Sequence, residues 1–208
     1  MNYVHNNLLY LPYLPYLPYL PMDLVLFGIQ GSGKGTQAKR LAAEFAYDIF
    51  EAGGELRKIA ASGSELGETV KGYIDHGHLV PFSIIMQVVA EAIAQRKPRQ
   101  KILFDGIPRD EDQRKSFDAI MNKQGREFQC IHITLDEKEA RARIAGRAAQ
   151  EKRADDADAE KVSRRIDLFR EKTMPVIDFY AVQGKVTEID GGGDMDRVYE
   201  RMKKVIGK

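Results

Sequence analysis

The sequence predicts an α/β fold built on a doubly wound, parallel sheet of five strands. Three observations carry that prediction. Five short apolar runs alternate with longer stretches of helical periodicity, the order that strands joined by helical crossovers produce. The first, Leu24-Val25-Leu26-Phe27, is continuously apolar, as in a parallel strand buried on both faces. The first run passes through a glycine-rich turn straight into a helix.

The chain has 208 residues, enough for one sizeable core, so one domain with insertions is expected. With 43% hydrophobic and 30% charged residues, disorder of the bulk is excluded. The 32 Lys and Arg against 31 Asp and Glu leave a net charge of +1. That balance gives no strong field for nucleic acid or an anionic membrane, and neither is expected as a partner. Cys130 is the lone cysteine, which excludes an internal disulfide and a thiolate-built zinc site. A reducing compartment, the cytoplasm, is expected.

Residues 1–21 contain no Lys, Arg, Asp or Glu, and Tyr-Leu-Pro recurs from Tyr10 to Pro21. Pro12, Pro15, Pro18 and Pro21 each remove a backbone donor, so this segment is neither a membrane helix nor a central strand. It lacks the basic start and unbroken apolar stretch of a signal peptide. Its Pro-x-x-Pro spacing fits an SH3-type ligand, but a disordered low-complexity tail, or a start codon set too far upstream, is the reading kept. The functional domain is expected to run from Met22 to Lys208.

Leu24–Phe27 reads as the first buried strand and Lys34–Phe45 as a helix with Ala38, Leu41, Ala42 and Phe45 on one face. Tyr47–Phe50 is a second strand. Helices follow over about 55–62 and 65–76, then an amphipathic helix over Pro81–Gln95 with proline at its start. Lys101–Asp105 is the third strand, Glu111–Lys123 a polar helix that ends at Asn122-Lys123-Gln124-Gly125, and Phe128–Leu135 the fourth strand. A helix through Arg147 and a long one over about 157–182 precede the last strand, Lys185–Ile189. Met195, Val198, Met202 and Val205 mark one face of the final helix.

The strongest chemical signal is Gly28-Ile29-Gln30-Gly31-Ser32-Gly33-Lys34-Gly35-Thr36, a phosphate-binding loop between strand and helix. Its glycines let backbone N–H groups converge on phosphate oxygens, the helix N-terminus adds partial positive charge, and Lys34 adds a mobile cation. Gly35 stands where the general pattern has Ser or Thr, and the hydroxyl comes one residue later, at Thr36. Cys130 and His132 alternate along a strand and read as packing residues, while the i, i+2 spacing of His76 and His78 suits no helical metal pair.

From Gly33-Lys34-Gly35-Thr36-Gln37 onward the sequence resembles the adenylate kinase family of nucleoside monophosphate kinases, in its short-lid form. Asp105-Gly106-Ile107-Pro108-Arg109 is similar to that family's Asp-Gly-Phe-Pro-Arg. Gly63-Ser64-Glu65-Leu66-Gly67 and Gly77-His78-Leu79-Val80 are similar to its monophosphate-binding insertion. Arg143 to Arg147 resembles the start of the lid, Arg153 to Asp156 its end, and Ser163-Arg164-Arg165 the arginine helix beyond it. The resemblance spans 22–208. It implies a P-loop kinase domain with a helical monophosphate-binding insertion over about 51–80 and a lid over about 146–156, the latter a short loop without room for zinc.

The resemblance further implies reversible transfer of the ATP terminal phosphoryl group to AMP. Lys34, Arg109, Arg147, Arg153 and Arg165 are its catalytic residues, with Arg164 the alternative to Arg165. ATP would be held by Gly31, Ser32, Gly33, Lys34, Gly35, Thr36, Arg143, Arg147 and Gly193. AMP would be held by Ala52, Arg57, His78, Leu79, Val80, Gly106, Ile107, Pro108, Arg109, Gln113, Arg153 and Arg165. Thr36 and Asp105 would serve Mg2+ through water. Such transfer needs alignment and charge stabilisation, for which arginine's planar fork is suited. Asp155 and Asp156 could pair with lid arginines or start a solvated helix. A monomer with small-molecule nucleotides as its partners is expected.

The chain departs from the family pattern at Gln30, where the family has proline, and at Ala52 and Gly54, where it has threonine and an acidic residue. Alanine at the acceptor position occurs in UMP and CMP kinases, so a pyrimidine acceptor stays open, as does a nucleotide-binding switch without turnover. Gln113 offers an amide donor and a carbonyl acceptor to adenine. The second set of arginines, Arg57 and Arg109, favours an enzyme, since a switch has one nucleotide to hold.

Overall fold

The computed structural model describes residues 22–75, 80–97, 100–151 and 158–206, with side chains at 74–75 and 148–151 left aside. The calls made for residues 1–21, His78, Leu79, Arg153, Asp155 and Asp156 lie outside the described residues.

Five strands form one parallel sheet: β1 Asp23–Gly28, β2 Asp48–Glu51, β3 Ile102–Asp105, β4 Phe128–Thr134 and β5 Val186–Asp190, in the spatial order β2-β3-β1-β4-β5. The helices are α1 Lys34–Phe45, α2 Ala52–Ala60, α3 Glu65–Asp75, α4 Phe82–Ala94, α5 Glu111–Lys123, α6 Glu137–Glu151, α7 Ala159–Leu168, α8 Met174–Val182 and α9 Met195–Ile206. Side chains alternate across β1, so Leu24 and Leu26 pack beneath α1 and α9 with Leu41, Ile131 and Met202, while Val25 and Phe27 face the other layer. That layer, under α4, α5 and α8, holds an aromatic file. Phe104 meets Phe117 edge-on at 5.0 Å, Phe117 meets Phe128 at 5.3 Å, and Phe128 meets Tyr180 at 5.4 Å.

The amino end of the sheet is closed by a buried ion pair. Asp23 is fully buried; its carboxylate accepts from Arg126 Nε and Nη2, both at 2.7 Å, and from the backbone N–H of Ile102 at 2.7 Å. Arg126 also donates to Gln100 O, so one side chain ties the start of β1 to the segments flanking β3 and β4.

Four sequence expectations change. The helix expected from 55 begins at Ala52. The stretch expected as a short lid loop from Ala148 continues α6 to Glu151, because Ala-Ala-Gln-Glu are strong helix formers without glycine or proline. Met195, assigned to the apolar face of the last helix, is 60% exposed; only its carbonyl docks, accepting from Gln37 Nε2 at 2.9 Å. The long helix expected near 157–182 runs over 159–182 but is interrupted by a π-helical turn, Phe169–Thr173. Pro175 supplies the reason: it cannot donate a backbone hydrogen bond, and its ring crowds the carbonyl four residues earlier, inside that turn.

Candidate active site

The site grows from the carboxyl ends of the central strands. β1 ends at Gly28, and the chain turns through Gly31 (φ +87°) and Gly33 (φ +89°) to start α1 at Lys34. A Cβ at Gly28 would lie 2.8 Å from Ile133 O, and one at Gly31 2.6 Å from Ala140 O. A neighbouring loop is just as tight: a Cβ at Gly191 would come 2.8 Å from Thr134 O. Backbone packs on backbone here. Ser32 is buried and, among the described residues, its Oγ has no hydrogen-bond partner, an orphan polar atom inside the phosphate loop.

Lys34 Nζ donates to Gly28 O and, at 3.3 Å, to Ile29 O. Burial lowers its pKa from 10.5 to about 8; Asp105 opposes that shift, and Arg109 and Arg147 add to it. Asp105 ends β3, beside Glu51 at the end of β2. Its pKa is raised by burial, with Lys34 and Arg109 pulling down and Glu51 pushing up. Arg109 keeps access to solvent, yet protein crowds around it. That desolvation holds its pKa below the ordinary arginine value against the pull of Asp105, and the charge of Arg165 adds to the effect.

Lys34, Arg109, Arg147 and Arg165 thus share one electrostatic neighbourhood with the carboxylates Asp105 and Glu51. Glu51 is a member that the sequence reading missed. Its signal was positional, since it ends a strand as Asp105 does. Its Oε1 also accepts from Arg57 Nη2 at 3.3 Å, which puts the exposed Arg57 at the margin of the cluster, next to the buried Ala52. The charge of Arg165 acts on Arg109.

The turn after β3 shapes around Arg109. Gly106, at φ +85°, leaves room for the guanidinium: a Cβ there would fall 2.8 Å from Arg109 Nη2. Arg109 Nε donates to Gly106 O at 2.6 Å, and its backbone N–H donates to Gln113 Oε1 at 2.9 Å. Asp110 caps α5 by accepting from Gln113 N at 2.9 Å. Gln113, expected to read a base with both amide groups, spends one of its carbonyl's two lone pairs on the Arg109 backbone N–H. Ile107 and Pro108 are buried beneath this turn, and Val80 is half-buried.

At the far side, Arg143 Nη2 donates to Gly191 O at 3.0 Å and Gly193 O at 3.1 Å, and it also pairs with Glu139 at 2.6 Å. Gln37 and Arg40 hold the following residue pair through Met195 O and Asp196. The phosphate loop, Arg143 and the loop 191–195 therefore line one continuous edge.

The family model described as adenylate kinase matches residues 26–185. The chain belongs to the adenylate kinase family. It is 37% identical over 178 residues to the adenylate kinase of Phenylobacterium zucineum, covering 85% of this chain and 93% of that protein. It is 36% identical to the adenylate kinase of Thermus thermophilus over 185 residues, 88% of this chain and 96% of the other. The Phocaeicola vulgatus adenylate kinase is 33% identical over 188 residues, 90% and 99% of the two chains. Family membership makes the chain a nucleotide-binding phosphotransferase.

His132 and Cys130 stand apart from this adenylate kinase family site, as core residues of β4. Cys130 is buried, and His132 Nδ1 lies 3.3 Å from Glu188 Oε1. Burial lowers the His132 pKa and Glu188 opposes it.

Proposed function

We propose that the protein transfers the terminal phosphoryl group of ATP to AMP, giving two ADP. One observation carries this reading. Beside the glycine loop, Lys34, Arg109, Arg147 and Arg165 gather around two carboxylates, Asp105 and Glu51, an excess of positive charge that phosphate oxygens would balance. The glycine loop, Lys34 and the α1 N-terminus would hold the donor's phosphates, with Arg143 and Gly193 at its base. Arg57 and Arg109 would hold the acceptor's phosphate, and Arg147, Arg153 and Arg165 would neutralise the group in transit. In this reading residues 51–80 form the acceptor-binding insertion and residues 146–156 the lid, whose closure would exclude water.

Asp105 and Thr36 fit a magnesium ion. Both offer hard oxygen, and a side chain starting at Gly35 would lie 3.8 Å from Asp105 Oδ2, so carboxylate and loop are neighbours. Among the described residues no group of three or more His, Cys, Asp or Glu could hold a metal, so phosphate and water would complete the coordination. When bound, the ion supplies neutralisation of the phosphate charge. We read the protein as a monomer, and its lone buried cysteine suits a reducing compartment such as the cytoplasm. No helix among the described residues is long and apolar enough to cross a membrane.

The small Ala52 favours a second, weaker acceptor class, UMP or CMP. The test is kcat/KM for AMP, CMP and UMP at saturating ATP, in the parent and in Gln113→Leu. AMP is expected to be preferred in the parent, and Gln113→Leu to lower kcat/KM for AMP by ~10-fold, the scale of one lost hydrogen bond. A parent that prefers UMP or CMP makes the protein a pyrimidine monophosphate kinase instead.

A further inference from the structure

Arg109 is held at three points, and the third comes from a distant element. Gly106 O and Gln113 Oε1 belong to its own turn and helix, but its backbone carbonyl accepts a 2.8 Å hydrogen bond from Thr173 Oγ1, 64 residues away. Thr173 is 7% exposed and is the last residue of the π-helical turn that joins α7 to α8. A threonine hydroxyl within a helix ordinarily bonds back to a carbonyl of the preceding turn. Here it leaves its own helix and fixes another element's backbone. α7 also carries Arg165, whose charge acts on Arg109. One interrupted helix thus delivers both a neighbouring cation and the hydroxyl that secures the backbone beneath Arg109.

We propose that Thr173 is a positioning residue: its hydroxyl fixes the main chain at Arg109 so that the guanidinium meets the acceptor's phosphate in register with the donor. This rests on the reading of Arg109 as the arginine that holds that phosphate. Thr173 touches no reacting atom; it acts through Arg109, where a misplacement of about 1 Å can cost as much as ~10²-fold in rate.

The experiment compares the parent with Thr173→Val, which removes the hydroxyl and leaves the Arg109 carbonyl without that donor, and Thr173→Ser, which restores it. For Thr173→Val, KM for AMP is expected to rise ~5-fold and kcat to fall ~10-fold with KM for ATP within about twofold of the parent, and Thr173→Ser should return every constant to within about twofold. Calorimetric titration with AMP adds a readout without turnover. Thr173→Val should weaken AMP binding in the parent and leave it unchanged in an Arg109→Ala background, since the side chain it aligns is gone. Equal changes in both KM values, failure of serine to restore, or an undiminished loss of AMP affinity in Arg109→Ala would each overturn the proposal. The parent's own turnover reads the underlying function separately. No transfer to AMP, CMP, UMP or GMP by the parent defeats that reading before any variant is compared.

Discussion

The two ends of the sheet treat buried charge in opposite ways. At the amino end, Asp23 is matched by a two-pronged Arg126 and the N–H of Ile102, so its carboxylate has partners on every side. At the carboxyl end, Lys34 rests on two backbone carbonyls, with Asp105 attracting it and the nearby Arg109 and Arg147 pushing against it. The first is a closed pairing within the chain; the second gathers more cations than carboxylates, Lys34, Arg109, Arg147 and Arg165 against Asp105 and Glu51. The difference teaches where to look for function on a parallel sheet. A buried charge matched by its partners is a fastening, and a cluster in which cations outnumber carboxylates suits an incoming anion.

That contrast is breakable from either side. The largest effect is expected at the fastening: Asp23→Ala takes the carboxylate away from Arg126 and should cost about 3–5 kcal/mol, roughly 6–20 °C in Tm for a chain of this size. Turnover measured well below the new Tm should stay within about twofold of the parent. A large loss of activity in the folded variant would erase the division between the two ends. Next comes the cation cluster. Lys34→Ala should cut kcat by at least ~10²-fold, the scale of one lost preorganised donor, while Tm holds or rises because a cation crowded by others has been removed. Near-parental turnover, or a fall in Tm like that of Asp23→Ala, would contradict it.

The smallest expected effect sharpens the comparison midway along β4. Burial lowers the His132 pKa from 6.5, so the unfolded chain binds more protons than the folded one below about 6.5. Stability is therefore full above that pH and declines as pH falls toward the folded pKa, by up to about 1.4 kcal/mol per unit of pH. Denaturant melts from pH 7.5 to 5.5 should show a shallower decline in His132→Gln. Identical slopes in the two proteins would mean that the Glu188 carboxylate offsets the burial of His132.

Much of this was legible in residue order because it is local. Lys34–Phe45 and Glu111–Lys123 were read to the residue, since a glycine loop and an Asp110 cap mark their starts and Phe45 and Lys123 end their periodicity. The phosphate loop and Asp105 declared themselves by type and spacing. What stayed hidden depends on contacts made across the fold. Nothing near Thr173 in sequence points to Arg109, and nothing near Gln37 points to a carbonyl at Met195, 158 residues away. Gln113 was seen by its place in a motif, but not that a backbone N–H four residues earlier donates to its carbonyl. α6 ran past its expected end because helix propensity at Ala148–Glu151 had been set aside in favour of a loop.

The bare backbone around Gly28, Gly31 and Gly191 has a consequence in the genetic code. Every codon one base away from a glycine codon that still specifies a different amino acid adds a Cβ, and at these positions that atom would fall within 2.8 Å of a main-chain carbonyl oxygen. No single-base missense change at any of the three can be mild for want of size, since alanine is already too large. In a library of random point variants the fewest survivors should map to the stretch of chain with the least side chain.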